Sequence, residues 1–223
     1  IGESIRQHVY NKKGVRDSKT LISYTTLPHS ENILPPALMY LSPTLYRVTL
    51  VDKFLLSPFS RHNKMFYRLH VVSQTDSLAL LSFKPKVDNT QLVKGNAVID
   101  VRTGRVITCH AEGEYNMLRF ELDTDTGDKQ HDKLMVTRCI LRTTFKFMGN
   151  RMAATYRVNY DMPPIDSTQI KPNKPAFTLN ALRNDSLTRI EKELFNPVYM
   201  ADIGQDTVRT QAEKPRGRFW RKL

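Results

Sequence analysis

Residues 134–160 read LMVTRCILRTTFKFMGNRMAATYRVNY, and the period of this stretch decides the fold class. Before the Gly-Asn pair, Met135, Cys139, Leu141, Phe145 and Phe147 share one phase of a two-residue repeat; after it, Met152, Ala154, Tyr156, Val158 and Tyr160 do the same. Side chains that alternate between oil and water belong to strands with one buried face, because successive Cβ atoms on a strand point to opposite sides. If Gly149-Asn150 forms a two-residue type II′ turn, Phe147 faces Met152, Phe145 faces Ala154 and Leu141 faces Val158. The opposite face then gathers Arg138, Arg142, Lys146 and Arg157, with Arg142 directly across from Arg157. Like charges in such a position repel unless solvent, an acid or an anion lies between them.

The same period runs back to about residue 45. In 64–74, Met65, Tyr67, Leu69 and Val71 alternate with Arg68 and His70, the pattern of a half-buried strand. Residues 78–83 form a short apolar run, and 91–101 place Val93, Ala97, Ile99 and Val101 on one side. A three-residue loop 102–104, with Gly104 in the left-handed position, sets Ile99 opposite Ile107 and Ala97 opposite Cys109. Leu118, Phe120 and Leu122 mark a further strand, followed by a polar turn over 123–133. The expected fold is therefore mainly β, an antiparallel sheet over 45–162 with one or two short helices elsewhere.

Outside that core the signals thin. Residues 1–44 suit one strand at 20–26 amid the breakers Pro28, Pro35, Pro36 and Pro43. Beyond Asp161, Pro163, Pro164, Pro172 and Pro175 argue for an extended arm over 163–213. Within it Thr188-Arg189-Ile190-Glu191 reads as a capping box opening a short helix to about Phe195. The tail 214–223 packs Arg216, Arg218, Arg221 and Lys222 around Phe219 and Trp220, which fits either a bilayer interface or a frayed basic end.

Composition narrows function. Lys plus Arg exceed Asp plus Glu by 34 to 22, a net charge of +12 that favours anionic partners, lipid headgroups and nucleic acid among them. The basic strand face has no interleaved aromatic ladder, which argues against nucleic acid. No stretch approaches the roughly 20 apolar residues of a membrane-spanning helix. Ile1-Gly2-Glu3-Ser4 lacks the features of a secretory signal, so the sequence does not itself report export and is expected to be part of something longer.

Cys109 and Cys139 lack C-x-x-C spacing; a bridge and two buried thiols both stay open, with their apolar phase favouring thiols. No catalytic template is present, neither G-x-S-x-G, H-E-x-x-H nor a phosphate-binding glycine loop. His8, His29, His62, His70, His110 and His131 are scattered, and Asp123, Asp125 and Asp128 lack the completing ligands of a calcium loop, so no metal or cofactor is expected.

Four pieces in order carry a resemblance: Leu55-Leu56-Ser57-Pro58-Phe59-Ser60, Phe66-Tyr67-Arg68-Leu69, Ser82-Phe83-Lys84-Pro85-Lys86 and Lys94-Gly95-Asn96-Ala97-Val98-Ile99-Asp100. Over roughly residues 51–160 the chain resembles the middle region of a Bacteroides-type outer-membrane family. That family has a carboxypeptidase-regulatory-like domain first, a periplasmic region similar to lipoprotein carriers next, and a membrane β-barrel last. The resemblance implies the periplasmic side of the outer membrane, a curved sheet forming an open half-barrel, and no catalytic residues. On it rests the expectation of a lipid or other apolar ligand in the concave face, lined by Met65, Tyr67, Leu69, Val71, Phe145, Phe147, Tyr156 and Val158. Arg138, Arg142, Lys146 and Arg157 would meet headgroups. The rival reading is a structural adaptor that binds another envelope protein through a sheet edge or the basic face.

Overall fold

The computed structural model describes residues 2–11, 14–25, 40–51, 53–115, 117–126, 136–160, 165–171, 173–183 and 187–193. The chain divides into two compact units, Ile1–Pro28 with Pro164–Leu223, and His29–Pro163.

In the first unit β1 (Gly2–Asn11) and β2 (Gly14–Thr25) pair antiparallel, where the sequence had led us to expect a single strand. Register shifts opposite Ile5/Arg6 and Val9/Tyr10 insert one extra residue each into β2, at positions 21 and 16, and break the two-residue phase along that strand. A helix, α1 (Pro175–Leu182), packs on this hairpin and buries Ala176 and Leu179. Pro175, read from sequence as a breaker, stands at the start of α1, where a missing N–H is harmless. Arg183 grips Glu3 with two hydrogen bonds, Nε to Oε1 at 2.9 Å and Nη2 to Oε2 at 2.5 Å, fastening the two ends of the chain together. The expected capping box is present: Glu191 Oε2 accepts from the Thr188 N–H at 2.8 Å, and Thr188 Oγ1 accepts from the Glu191 N–H at 3.3 Å, ahead of a helical turn at 189–193.

The second unit holds β3 (Thr49–Val51), β4 (Leu55–Leu56), β5 (Tyr67–Gln74), β6 (Leu78–Pro85), β7 (Lys94–Asp100), β8 (Val106–Tyr115), β9 (Leu118–Asp125), β10 (Arg138–Phe147) and β11 (Asn150–Asn159). Strands β5 to β11 form one seven-stranded antiparallel meander, not closed into a barrel. Gly104 is left-handed at φ 69°, and Ala97 pairs with Cys109 as the loop reading requires. A bulge next to that pair sets Ile99 opposite Val106 rather than Ile107. The β10–β11 turn also differs: Met148 (φ 47°) and Gly149 (φ 80°) are its central residues, the type I′ signature, and Phe147 pairs with Asn150. Phe145 thus faces Met152 and Leu141 faces Tyr156, a slip of two residues that leaves every side chain on its expected face.

One face of the sheet is the core. Phe83, Ala97, Val106, Cys109, Ala111, Phe120, Leu122, Cys139 and Leu141 are buried there under a cover drawn from residues 40–66, including Tyr40, Leu45, Leu50, Val51 and Leu55. Tyrosine hydroxyls pin the cover down. Tyr46 accepts from the Val106 N–H at 2.7 Å, and Tyr160 donates to the Leu41 carbonyl at 3.0 Å. The quoted motif pieces belong to this closure: Ser57 Oγ donates to the Leu45 carbonyl, Asn63 Nδ2 donates to the carbonyls of Val48 (2.6 Å) and Ser57 (2.9 Å), and Phe59 stacks edge-on against Phe83.

Cys109 and Cys139 are both free and buried. Each pairs with Thr124 of β9, which lies between them. Two strand spacings, about 9–10 Å, exceed the Cα separation any disulfide spans.

Candidate functional site

The cover stops at the edge of the sheet. Only Tyr67 is buried on β5, and every residue after it on that strand is exposed. Tyr67 reaches inward: its hydroxyl donates to the Leu56 carbonyl at 2.7 Å and accepts from the Val93 N–H at 3.2 Å. Burial pushes its pKa up to about 12, against the opposing pull of the Val93 hydrogen bond. Beside it, Met65 and Leu69 stay in solvent, at 69% and 45% exposure. The result is an open groove of about 600 Å³, lined by Met65, Tyr67 and Leu69 and rimmed by Arg61, His62, Lys64 and Lys86. Among the described residues no carboxylate lines it.

Three of the eight residues expected to line an apolar ligand site therefore meet in one groove. Val71 lies beyond it on the same strand, exposed. Tyr156 and Val158 pack against the core, and Phe145 is half-buried on β10. The side chain of Phe147 lies outside the described residues. The separation has a physical cause, since residues 40–66 fill the middle of the apolar face and leave its β5 margin open. Sequence reading passed over the groove's basic residues, although 61–64 hold Arg61, His62 and Lys64 next to Met65; the short 3-10 helix Arg61–Phe66 brings all three to the groove mouth.

The opposite face of the sheet carries alternating charge rather than a uniform basic surface. Arg142 stands across from Thr155, not Arg157, because of the two-residue slip; it donates to Asp123 Oδ2 at 2.5 Å and lies 4.0 Å from Glu121. Arg157 stands across from Ile140, and Lys146 across from Arg151 near the turn. Arg138 pairs with Asp125 across β9–β10, and both border a shallow depression of about 360 Å³ with Leu80, Val98, Thr108, His110, Asp123 and Ile140. Within it His110 Nδ1 and Asp123 Oδ1 are 2.6 Å apart. Burial alone would raise the Asp123 carboxyl; the hydrogen bonds and charges of His110 and Arg142 outweigh it and hold the pKa below its ordinary value.

Among the described residues no group of His, Cys, Asp and Glu is placed to hold a metal ion, and no helix is long and apolar enough to cross a membrane. Asp128 and the tail residues Arg216, Arg218, Phe219, Trp220, Arg221 and Lys222 lie outside the described residues.

Fold and site together define a class: an open antiparallel meander with one face closed by its own chain and an amphiphilic groove where that closure ends. No family model, curated protein or solved structure matches this chain.

Proposed function

We propose that this chain is a non-catalytic binding module on the periplasmic side of the outer membrane, and that it holds an anionic amphiphile in the β5 groove. The acyl part lies on Met65, Leu69 and the Tyr67 ring, and the headgroup meets Arg61, His62, Lys64 and Lys86. One observation carries the reading: an apolar floor and a basic rim occupy the same groove, with no carboxylate among its described lining residues. A purely solvated basic surface needs no exposed Met and Leu at its centre, and a purely apolar contact needs no cations. The net charge of +12 supports an anionic partner, and the address rests on the resemblance carried by residues 55–60, 66–69, 82–86 and 94–100.

The test is flotation of the chain with phosphatidylglycerol vesicles and with phosphatidylcholine vesicles. The anionic vesicles should be bound and the neutral ones left. The double substitution Lys64→Glu, Lys86→Glu should weaken the binding by about tenfold or more, at about 1 kcal/mol for each basic residue removed near the surface. Equal binding to both vesicles, or a double variant that binds as the parent does, would remove the basis for the reading.

A further inference from the structure

Among the described residues the seven-stranded sheet ends at β5, whose one partner strand is β6. The Lys86 N–H donates to the Phe66 carbonyl at 2.9 Å, so residue 66 turns its peptide groups toward β6. Alternation along an antiparallel strand then turns Arg68 and His70 the same way and aims the N–H and C=O of Leu69 and Val71 out of the sheet. Natural edges are guarded by proline, by inward charges or by shortness; β5 has eight residues, no proline, and a single bulge at Val71/Ser73. Its side chains are exposed on both faces, with Leu69 and Val71 on one and Arg68 and His70 on the other.

Charge says what belongs there. Arg68 stands directly across from Lys84, and among the described residues neither has an ion-pair partner. Opposed like charges weaken a sheet, and a carboxylate between them relieves the repulsion. On the other face Leu69 lies opposite Phe83, Val71 opposite Leu81, and both Leu69 and Val71 are nearly half exposed. A strand laid along this edge would meet cations on one side and aliphatic carbons on the other. A second copy of this chain would bring the same cations to the junction.

We propose that β5 accepts an eighth strand from a partner protein: an extended segment alternating acidic and apolar residues, acids toward Arg68 and Lys84 and apolar residues toward Leu69 and Val71. Main-chain bonds to Leu69 and Val71 supply affinity, and the alternation sets register and specificity. This site shares Leu69 with the lipid groove and goes beyond it, since it uses the backbone of β5, Val71 and cations on the other sheet face.

The test is amide hydrogen exchange on the full chain, read residue by residue. The probe is a short synthetic peptide alternating Asp and Glu with Val and Ile, and the control replaces its acids with Lys. The acidic peptide, at about ten times its Kd, should slow exchange at Leu69 and Val71 about tenfold and leave Met152 on the opposite edge strand unchanged. The Lys peptide should do neither. Val71→Pro removes an outward N–H while sparing the bonds to β6, and should abolish the protection yet leave vesicle binding intact. Arg68→Glu with Lys84→Glu gives a second check on a protein with an unaltered backbone, and should exchange the preference of the two peptides. Protection by both peptides alike, protection by neither, or full protection in folded Val71→Pro would overturn the proposal.

Discussion

Replacing Tyr67 with Phe deletes one oxygen from the place where cover and sheet are tied together. That oxygen is 2.7 Å from the Leu56 carbonyl and 3.2 Å from the Val93 nitrogen. Val93 is fully buried and Tyr67 nearly so, so water cannot easily replace the lost partner. A buried donor left without an acceptor costs about 1–3 kcal/mol, so a loss near 2 kcal/mol is expected from the Val93 N–H together with the weakened Leu56 carbonyl. With a urea m-value of about 2 kcal/mol/M, the midpoint falls by about 1 M while the slope holds. The chain has two compact units, so unfolding is best followed by hydrogen exchange at the sheet amides of Ala97 and Cys109.

A second signature lies in alkali. The folded-state pKa of Tyr67 is raised to about 12 from 10.0, so its contribution is fully present below pH 10 and is lost as pH rises through about 12. The Phe variant should lose less stability across that window than the parent does. Its vesicle binding should be unchanged, because the hydroxyl is engaged in the core and the ring still lines the groove. A variant within about 0.5 kcal/mol of the parent would refute the pinning role, since surface-like substitutions fall in that range.

Three further outcomes are expected. Gly95→Ala places a Cβ 1.9 Å from the His110 carbonyl oxygen and 2.9 Å from the Phe83 ring, so it should cost more than about 3 kcal/mol or prevent folding; near-parental denaturation would contradict the packing. Cys109 and Cys139 have thiol pKa values pushed by burial up to about 12 from 9.0, which lowers the thiolate fraction at pH 8 by about 1000-fold. Both should resist Ellman's reagent in the native protein and react in denaturant; one thiol that reacts natively at a free rate would contradict the core assignment. Asp123 has a depressed folded-state pKa, so its contribution is present above the unfolded carboxylate pKa and is lost as pH falls through the folded value. Asp123→Asn should therefore flatten the acid limb of the stability profile, and an unaltered limb would mean that His110 and Arg142 do not stabilise the carboxylate.

The meander was legible because a half-buried strand must alternate, and its strands do so in sequence apart from β6, a short apolar run. Even where the turn was misplaced by one residue and the register thereby by two, parity kept Phe145, Tyr156 and Val158 on the apolar face. The cover left no periodic mark. Its contacts are made by single residues such as Tyr46, Ser57 and Asn63 bonding to carbonyls and N–H groups far away in sequence, an arrangement with no repeat to detect. Without the cover, core and groove look identical, since Tyr67 and Leu69 share one phase and differ only in what lies above them. The proposed groove was thus invisible in the sequence because it is defined by where the cover ends.

Alternation on β5 continues past Tyr67 into Leu69 and Val71, although both stay nearly half exposed. Solvent alone gives no stabilisation for aliphatic side chains at those positions, and the facing pair of Arg68 and Lys84 is actively unfavourable. An edge built this way is less stable by itself than one with Lys, Thr or Pro in the same places, and it also invites wrong pairing. Its composition makes physical sense when the missing contacts come from outside the chain. Guarding the edge with Val71→Lys should therefore leave the core intact, reduce self-association at high concentration, and remove the response to the acidic peptide. If peptide protection persisted in that variant, the apolar face of β5 would not be the surface recognised.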